Sequence, residues 1–380
     1  MTTAREKTIG LRLVGGTDVR LFARPLLGWQ RRAWHRAGTS GADTGTAGTV
    51  VAHADWVLSP ALARAVATRP GVALMAASAP GRTPVFVAAH VRAGTDPAEV
   101  AALVAAGESE AGALRAAMLE PGSPDELAGS YNQELRKREA PYALCVPELG
   151  AAAVEEQLFH GSYKGVTDLV TKYLWPRPAL AATRLCARLG LTPNSVTTLS
   201  LLLVALAFWL FWQGLWLPGL VAAWAMTFLD TVDGKLARVT LQSSPWGNLY
   251  DHGIDLIHPP FWYLAIWHGL DGQWTGQGAG DIALAVILAG YVLGRMIEGV
   301  FIQRFGFHIH VWQRVDSMAR EVTARRNPNL LIFTLAALVG APEAGFVAVA
   351  LWTVLWGAFH LVRLVQALGA PRRPASWLEA

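Results

Sequence analysis

Cysteine is nearly absent. Cys145 and Cys186 are the only two in 380 residues, they fall in different regions, and neither has a partner at metal-ligand spacing. A disulfide framework and a thiolate zinc site are therefore excluded, and both residues are expected to be inert thiols on the cytoplasmic side of a membrane. Charge is also scarce, at 16% of residues against 53% apolar. The shortage is local: from Leu189 to Leu229 there is no charged side chain. Lys and Arg are likewise missing from Gln213–Leu217, His268–Asp281 and Pro342–Ala344. A signal-peptide core is lacking too, since Arg5 and Lys7 lead into a short strand-like stretch. Despite a pI near 9.2, no basic groove interleaved with aromatics is present, so nucleic acid is not an expected partner.

What the chain does hold is apolar sequence in long blocks. Leu189–Leu229 is long enough for two membrane crossings with a break near Gln213-Gly214. Asn248–Leu270, Ile282–Ile302, roughly Thr323–Ala341 and Gly345–Leu368 supply four more. The expected fold is thus a multi-pass α-helical membrane protein of six crossings, with a soluble α/β domain before them. Three regions follow: a cytoplasmic α/β domain at 1–150, a linker with an interfacial helix at 151–190, and the membrane domain at 191–370. The connections without Lys or Arg face outward. Lys235, Arg238, the cluster Arg304 to Arg326, Arg363, Arg372 and Arg373 lie on the other side. By the positive-inside rule both termini face the cytoplasm, and the expected location is the inner cell membrane. Trp209, Trp212, Trp216, Trp267 and Trp312 fall near the expected helix ends, as an interfacial belt requires. Lys164–Arg188 mixes basic, aromatic and aliphatic residues at helical intervals, which suits a helix lying on the lipid surface. Pro193 fits an early helical position.

Within this apolar half stand Asp230, Asp233, Asp251 and Asp255. One Asp at the centre of a membrane helix costs roughly 2.5–3.5 kcal/mol on insertion scales, so four imply a penalty of about 10 kcal/mol unless cations collect them. The first pair is three residues apart and the second four, so each pair shares a helix face. Two helices joined through Ser243-Ser244-Pro245 would point all four carboxylates at one spot, a divalent-metal site. Hard oxygen ligands favour Mg²⁺ or Mn²⁺ over Zn²⁺.

The fixed pattern is Asp230, Asp233, Gly234, Ala237 and Arg238, a spacer of eight, then Gly247, Asp251 and Asp255. It resembles the CDP-alcohol phosphotransferase family, whose signature DxxDGxxAR…GxxxDxxxD is matched at every position. The resemblance implies attack by an acceptor hydroxyl on the β-phosphorus of a CDP-alcohol donor, CDP-diacylglycerol in the first instance, with release of CMP. It implies Asp230, Asp233 and Asp251 as principal metal ligands of two ions, and Asp255 as general base that also reaches a metal. Gly234, Ala237, Arg238 and Gly247 would bind the CDP-alcohol: the small residues give room, and Arg238 offers a planar fork to the diphosphate. Lys235 either touches phosphate or extends to the interface. Membrane lipid is an expected partner, and a homodimer is left open. A divalent-cation transporter would also bury acids, but it gains nothing from an Arg beside them.

On the acceptor side, Arg295 lies in the fourth crossing, three residues before Glu298. The segment after it holds His308, His310, Arg314, Arg320, Arg325 and Arg326. Arg295, Arg325 and Arg326 are the candidates for a phosphorylated acceptor. The competing readings are an i,i+3 pair for Arg295 and an anchor on anionic lipid for the cluster. His308 and His310 fall on opposite sides of a helix and are not a metal pair.

In the N-terminal region strand-like runs at Thr8–Val14, Thr49–Ala52, Val72–Ala76 and Val85–Ala89 alternate with helix candidates near Gly28–Arg36, Pro60–Ala67 and Asp96–Ala106. Gly38–Thr49 reads as a flexible loop. Bifunctional relatives of the family join a nucleotidyltransferase to the membrane enzyme in this order, notably inositol-phosphate cytidylyltransferases fused to di-inositol phosphate synthases. Gly15-Gly16-Thr17 with Arg20 resembles the nucleotidyltransferase phosphate loop. The longer glycine pattern and its lysine are missing, and Asp55 is the only acid placed for a metal. A degenerate or regulatory module is expected, with a bifunctional enzyme making its own CDP-linked donor as the alternative.

Overall fold

In the computed structural model, residues 8–272 and 276–379 are described. Arg5, Lys7 and part of the expected outer connection at 268–281 lie outside the described residues. The chain forms two compact units: residues 1–133, 138–162 and 239–241 in the first, and 134–137, 163–238 and 242–380 in the second.

The first unit follows its hydrophobic pattern. Strands β1 (Gly10–Val14), β2 (Thr49–His53), β3 (Val72–Ala76), β4 (Val85–Val91) and β5 (Glu120–Gly122) form a mixed sheet in the order β1-β2-β4-β3-β5. β1 runs parallel to β2 and β5 parallel to β3, while β4 is antiparallel to both its neighbours. Helices α1 (Leu26–Ala37), α2 (Pro60–Thr68) and α3 (Pro97–Ala106) cover it. Val50, Leu62, Val66 and Leu74 pack on one face, and Phe86, Val104 and Leu114 on the other. α2 and α3 begin with Pro at an early helical position, and the Asp96 carboxylate caps α3 by accepting from the Ala98 amide at 2.9 Å. The short strand β5 carries Pro and Gly and has no alternation to betray it. Both cysteines are free, and burial pushes both thiols above their ordinary pKa, as expected of unreactive sulfurs.

After α4 (Ala151–Gly161) the basic segment is a π-helical turn at Val170–Leu174 followed by α5 (Pro176–Arg188). Tyr173, Leu174, Leu185 and Leu189 are largely exposed beside Arg177, Arg184 and Arg188, the mixed surface of an amphipathic helix. Six helices follow: α6 (Pro193–Trp212), α7 (Trp216–Val239), α8 (Pro245–Gly269), α9 (Ala279–Phe305), α10 (Arg326–Leu338) and α11 (Pro342–Leu368). Each coincides with one expected crossing. By length and apolarity three of them, α6, α9 and α11, are able to cross a membrane. The others fall short for identifiable reasons. α7 and α8 carry the acids and their basic neighbours. α10 has 13 residues, beginning at Arg326 rather than near Thr323. That is about 20 Å of helix at 1.5 Å per residue, less than the roughly 30 Å of hydrocarbon.

Local chemistry sets the boundaries. The Thr192 and Ser244 hydroxyls cap α6 and α8 by accepting from the Ser195 and Gly247 amides, and Pro193 and Pro245 hold the first helical positions. Gly214, with φ +71°, makes the tight reversal between α6 and α7. α9 packs along α11 and α8 along α6, around a core that includes Phe211, Met226, Trp262, Ile287, Phe333 and Phe346. α8 contains Pro259 and Pro260 in its interior. Pro260 cannot donate to the Leu256 carbonyl one turn back, and the Tyr291 hydroxyl of α9 donates to it instead at 2.7 Å.

Small residues set the α9–α11 approach: a Cβ added at Gly290 would lie 2.3 Å from Thr353 Cγ2. Gly290→Val should therefore cost about 1–3 kcal/mol by overpacking, seen as a lower melting temperature in detergent. Gly299→Ala, which meets nothing within 4 Å, should leave the melting temperature unchanged.

Candidate active site

α7 and α8 bring three of the four signature acids together; the expected convergence of all four does not extend to Asp255. Carboxylate oxygens of Asp230, Asp233 and Asp251 all lie within 4.8 Å of one another. Asp233 is the most buried, at 2% exposure. Its Oδ2 accepts from the Thr197 hydroxyl of α6 at 2.6 Å, while Oδ1 is buried with no hydrogen-bond partner. A buried carboxylate oxygen without a donor is costly. Three converging carboxylates, one of which has an unsatisfied oxygen, could hold a divalent cation.

Asp255 stands apart from this trio. Arg326, at the start of α10, bridges it to Asp230: Nη1 donates to Asp255 Oδ1 and Nη2 to Asp230 Oδ2. Asp255 is also the more accessible of the two, with 41% of its side chain exposed against 16% for Asp230.

The glycines work at close quarters. A Cβ at Gly247 would lie 2.8 Å from Asn194 Oδ1, so any larger residue there would have to displace the Asn194 side chain at the start of α6. A Cβ at Gly234 would meet the Arg238 guanidinium at 3.1 Å, so this glycine leaves room first of all for that arginine. Lys235 is buried, with its Nζ 3.2 Å from the centre of the Tyr163 ring. It does not extend toward an interface.

Beside the acids lies a cavity of about 520 Å³, lined among others by Arg136, Lys164, Arg238, Asp255, Arg320 and Arg326. A smaller cavity of about 170 Å³ adjoins it between α8, α9, α10 and α11. The three expected acceptor arginines all border both cavities, and each faces a carboxylate. Arg295 Nη1 is 3.6 Å from Glu298 Oε2, the i,i+3 pair. Arg325 donates to Glu298 Oε1, and His310 Nε2 lies 3.1 Å from the same oxygen. His308 precedes a short 3₁₀ turn, Ile309–Val311, and the two histidines do not converge.

Several residues of the site carry no sequence signal. Thr197 is one hydroxyl in an apolar helix. Asp168 belongs to the stretch read for lipid contact, yet it accepts from the Val170 and Thr171 amides, the Thr171 hydroxyl and Asn327 Nδ2, tying the segment before α5 to the start of α10. Burial raises the Asp168 pKa, but the bonds from Asn327 and Thr171 outweigh it and hold the carboxyl below its usual range. Lys164 borders the cavity, where burial and the neighbouring Arg136 and Arg238 lower its pKa to about 8. Such a lysine loses part of its charge as pH rises through 8.

In the first unit, Gly15-Gly16-Thr17 closes on Asp55. The Thr17 amide and hydroxyl donate to Asp55 Oδ1 at 2.9 and 2.8 Å, and a Cβ at Gly15 would strike the His53 ring at 2.8 Å.

Residues 190–361 match the family model of the CDP-alcohol phosphatidyltransferases. This segment, which holds every signature acid, belongs to that family. Among characterised relatives, the archaetidylinositol phosphate synthase of Pyrococcus horikoshii is 40% identical over 72 residues, covering 19% of this chain and 38% of that protein. Cholinephosphotransferase 1 of Xenopus laevis is 29% identical over 138 residues, covering 33% of this chain and 30% of that protein. The chain thus spans about a third of the length of these relatives. The crystal structure of the phosphatidylinositol phosphate synthase PgsA1 of Mycobacterium tuberculosis, with CDP-DAG bound, aligns with 52% of this chain and 99% of its own at 21% identity and a TM-score of 0.39.

The Thr197 hydroxyl bonds Asp233, so if the trio holds a divalent cation Thr197→Val should raise the Mg²⁺ concentration that half-maximally raises the melting temperature about 10–100-fold, the usual effect of losing a group that orients a metal ligand. Thr197→Ser should restore it. Equal metal titrations for Val and wild type would show that the hydroxyl orients nothing.

Proposed function

We propose that this protein is a metal-dependent CDP-alcohol phosphotransferase: it transfers the substituted phosphate of a CDP-alcohol, CDP-diacylglycerol in the first instance, to an acceptor hydroxyl and releases CMP. The observation that carries this reading is the trio Asp230, Asp233 and Asp251, with an unsatisfied buried oxygen, beside an accessible Asp255 and a cation-rich cavity. The family of residues 190–361 supports it.

The chemistry needs charge neutralisation and alignment more than a covalent partner. Asp230, Asp233 and Asp251 would hold two Mg²⁺ or Mn²⁺ ions, with Asp255 as a further ligand. Such ions would supply charge neutralisation to the diphosphate and the leaving CMP. Arg238 lies among Asp233, Asp251 and Glu134 and borders the cavity, placed to add a guanidinium fork to the diphosphate. Gly234 leaves room for that guanidinium, and Ala237 keeps the neighbouring side chain small. Asp255 takes the proton of the attacking hydroxyl, and Arg326 fixes the carboxylate's orientation through its bridge to Asp230. Arg295 and Arg325, partly neutralised by Glu298, flank the acceptor.

In this reading all six helices cross the inner membrane, α10 with help from its neighbours, and the acids face the cytoplasm together with both termini. The N-terminal domain is non-catalytic, since Thr17 takes up Asp55, the one acid offered for a nucleotidyltransferase metal.

Three outcomes test this. Chelation should abolish CMP release from CDP-diacylglycerol in membranes containing the protein, and Mg²⁺ or Mn²⁺ should restore it, but not in Asp230→Asn or Asp251→Asn; full turnover in chelator would sink the metal assignment. Asp255→Asn should lower the single-turnover rate about 10²–10⁴-fold, the usual cost of losing a general base, while donor affinity holds. If that variant loses the donor as Asp230→Asn does, Asp255 is a metal ligand and the base lies elsewhere. Pyrophosphate release from CTP and a polyol phosphate by the full chain would restore the bifunctional alternative.

A further inference from the structure

α7 ends at Val239 and α8 begins at Pro245, so the short connection 240–244 stands between Asp233 on one side and Asp251 on the other. Residues 239–241 cluster with the first unit, although the helices they join belong to the second. Val239 and Thr240 are both buried, which a solvated loop would not require.

What holds this turn is a side chain of the first unit. The indole Nε1 of Trp29, on α1, donates to the Val239 carbonyl at 2.8 Å in a buried bond. The last carbonyls of a helix have no partner within it, and one of these orphans is met here from α1. The Gln242 amide closes back on the Ala237 carbonyl at 2.9 Å, and Leu241 adopts φ +55°, in the left-handed region. A leucine keeps that conformation only where its surroundings impose it.

The donor itself is fixed. Gln30, the next residue on α1, is buried and donates from Nε2 to the Ala54 and Trp56 carbonyls at 3.0 and 2.8 Å. Leu26, Trp29 and Trp34 are buried on the same helix. Trp29 therefore reaches Val239 from a helix bolted to its own domain. On the other side of the bond, Val239 directly follows Arg238, the signature arginine.

We propose that Trp29 is a positioning residue for the acid cluster: by fixing the end of α7 it sets the turn into α8, and with it the spacing at which Asp230 and Asp233 meet Asp251. The first domain, which lies outside the segment matched to the family, then serves the reaction by clamping the joint between the two acid-bearing helices. The consequence for metal rests on the metal-dependent transferase reading; the clamp on the turn does not.

The test uses the full chain in phosphatidylcholine nanodiscs, with hydrogen exchange as one readout and Mg²⁺-dependent melting as the other. Trp29→Phe keeps an aromatic ring in place and removes the donor. Amides of residues 241–251 should exchange about 2–10-fold faster in it, the loss of one net hydrogen bond. The half-maximal shift in melting temperature should need about 2–30-fold more Mg²⁺, the range for residues that tune a site they do not touch. Leu114→Ala leaves a cavity on the face of the first sheet opposite α1, and should lower the melting temperature without either change. Coupling is reciprocal, so saturating Mg²⁺ should slow exchange at 241–251 in the wild type, a measurement that decides the matter if Trp29→Phe misfolds. Unchanged exchange in Trp29→Phe would overturn the clamp. Faster exchange with an unchanged Mg²⁺ titration would overturn the positioning role, as would an equal Mg²⁺ shift in Leu114→Ala, because general loosening would then suffice. A wild type with no Mg²⁺ response would count against the metal reading, and exchange at Asp251 and its neighbours on α8 would then decide the positioning by itself.

Discussion

Everything in the membrane unit answers to one constraint: carboxylates placed among helices whose outer faces are apolar have to be met by positive charge. Asp230 and Asp255 share Arg326, Glu298 draws Arg295, Arg325 and His310, and Asp168 is quieted by amides and Asn327. Asp233 is the exception, because its Oδ1 has no protein donor among the described residues. A buried oxygen left open beside two other carboxylates is a place that a divalent cation could fill.

The same constraint explains the position of the helix that begins at Arg326. It is too short to read as an independent crossing, but its first turn delivers a guanidinium to two acids on two other helices and an amide to Asp168. Its length is set by where that first turn has to sit. The segment before α5 is tied to the same turn, so the approach to the bilayer and the acid cluster share one fastening.

What could be read from the sequence was whatever is periodic or local. Apolar runs located six helices, to within a few residues except at the end of α7, which continues ten residues past Leu229 to Val239, and alternation located four of the five strands of the first sheet. The acids were legible because aspartate in lipid-compatible sequence is expensive, and their three- and four-residue intervals specify a face. Thr197 was not, since a threonine in an apolar helix looks the same whether it bonds its own turn or a carboxylate on the next helix. The pairing of Arg325 with Glu298 and Arg326 with Asp230 and Asp255 was equally hidden: adjacent arginines point to different partners, and only the packing of α7, α8 and α9 assigns them. The hairpin at 131–138 has strands of two residues, too short for any alternation, and its tip meets partners far away in sequence.

The proline pair in α8 has a mechanical meaning. Pro259 and Pro260 remove two successive rungs from the ladder immediately after Asp255, and one vacated carbonyl is taken by a hydroxyl on α9. The half of α8 that carries Asp251 and Asp255 is thus fastened less to its own continuation than a regular helix would be, and more to the neighbouring helix through Tyr291. Stiffness at this point is transverse instead of axial. A displacement of α9, which also bears Arg295 and Glu298, would therefore reach the turn of Asp255 through Tyr291.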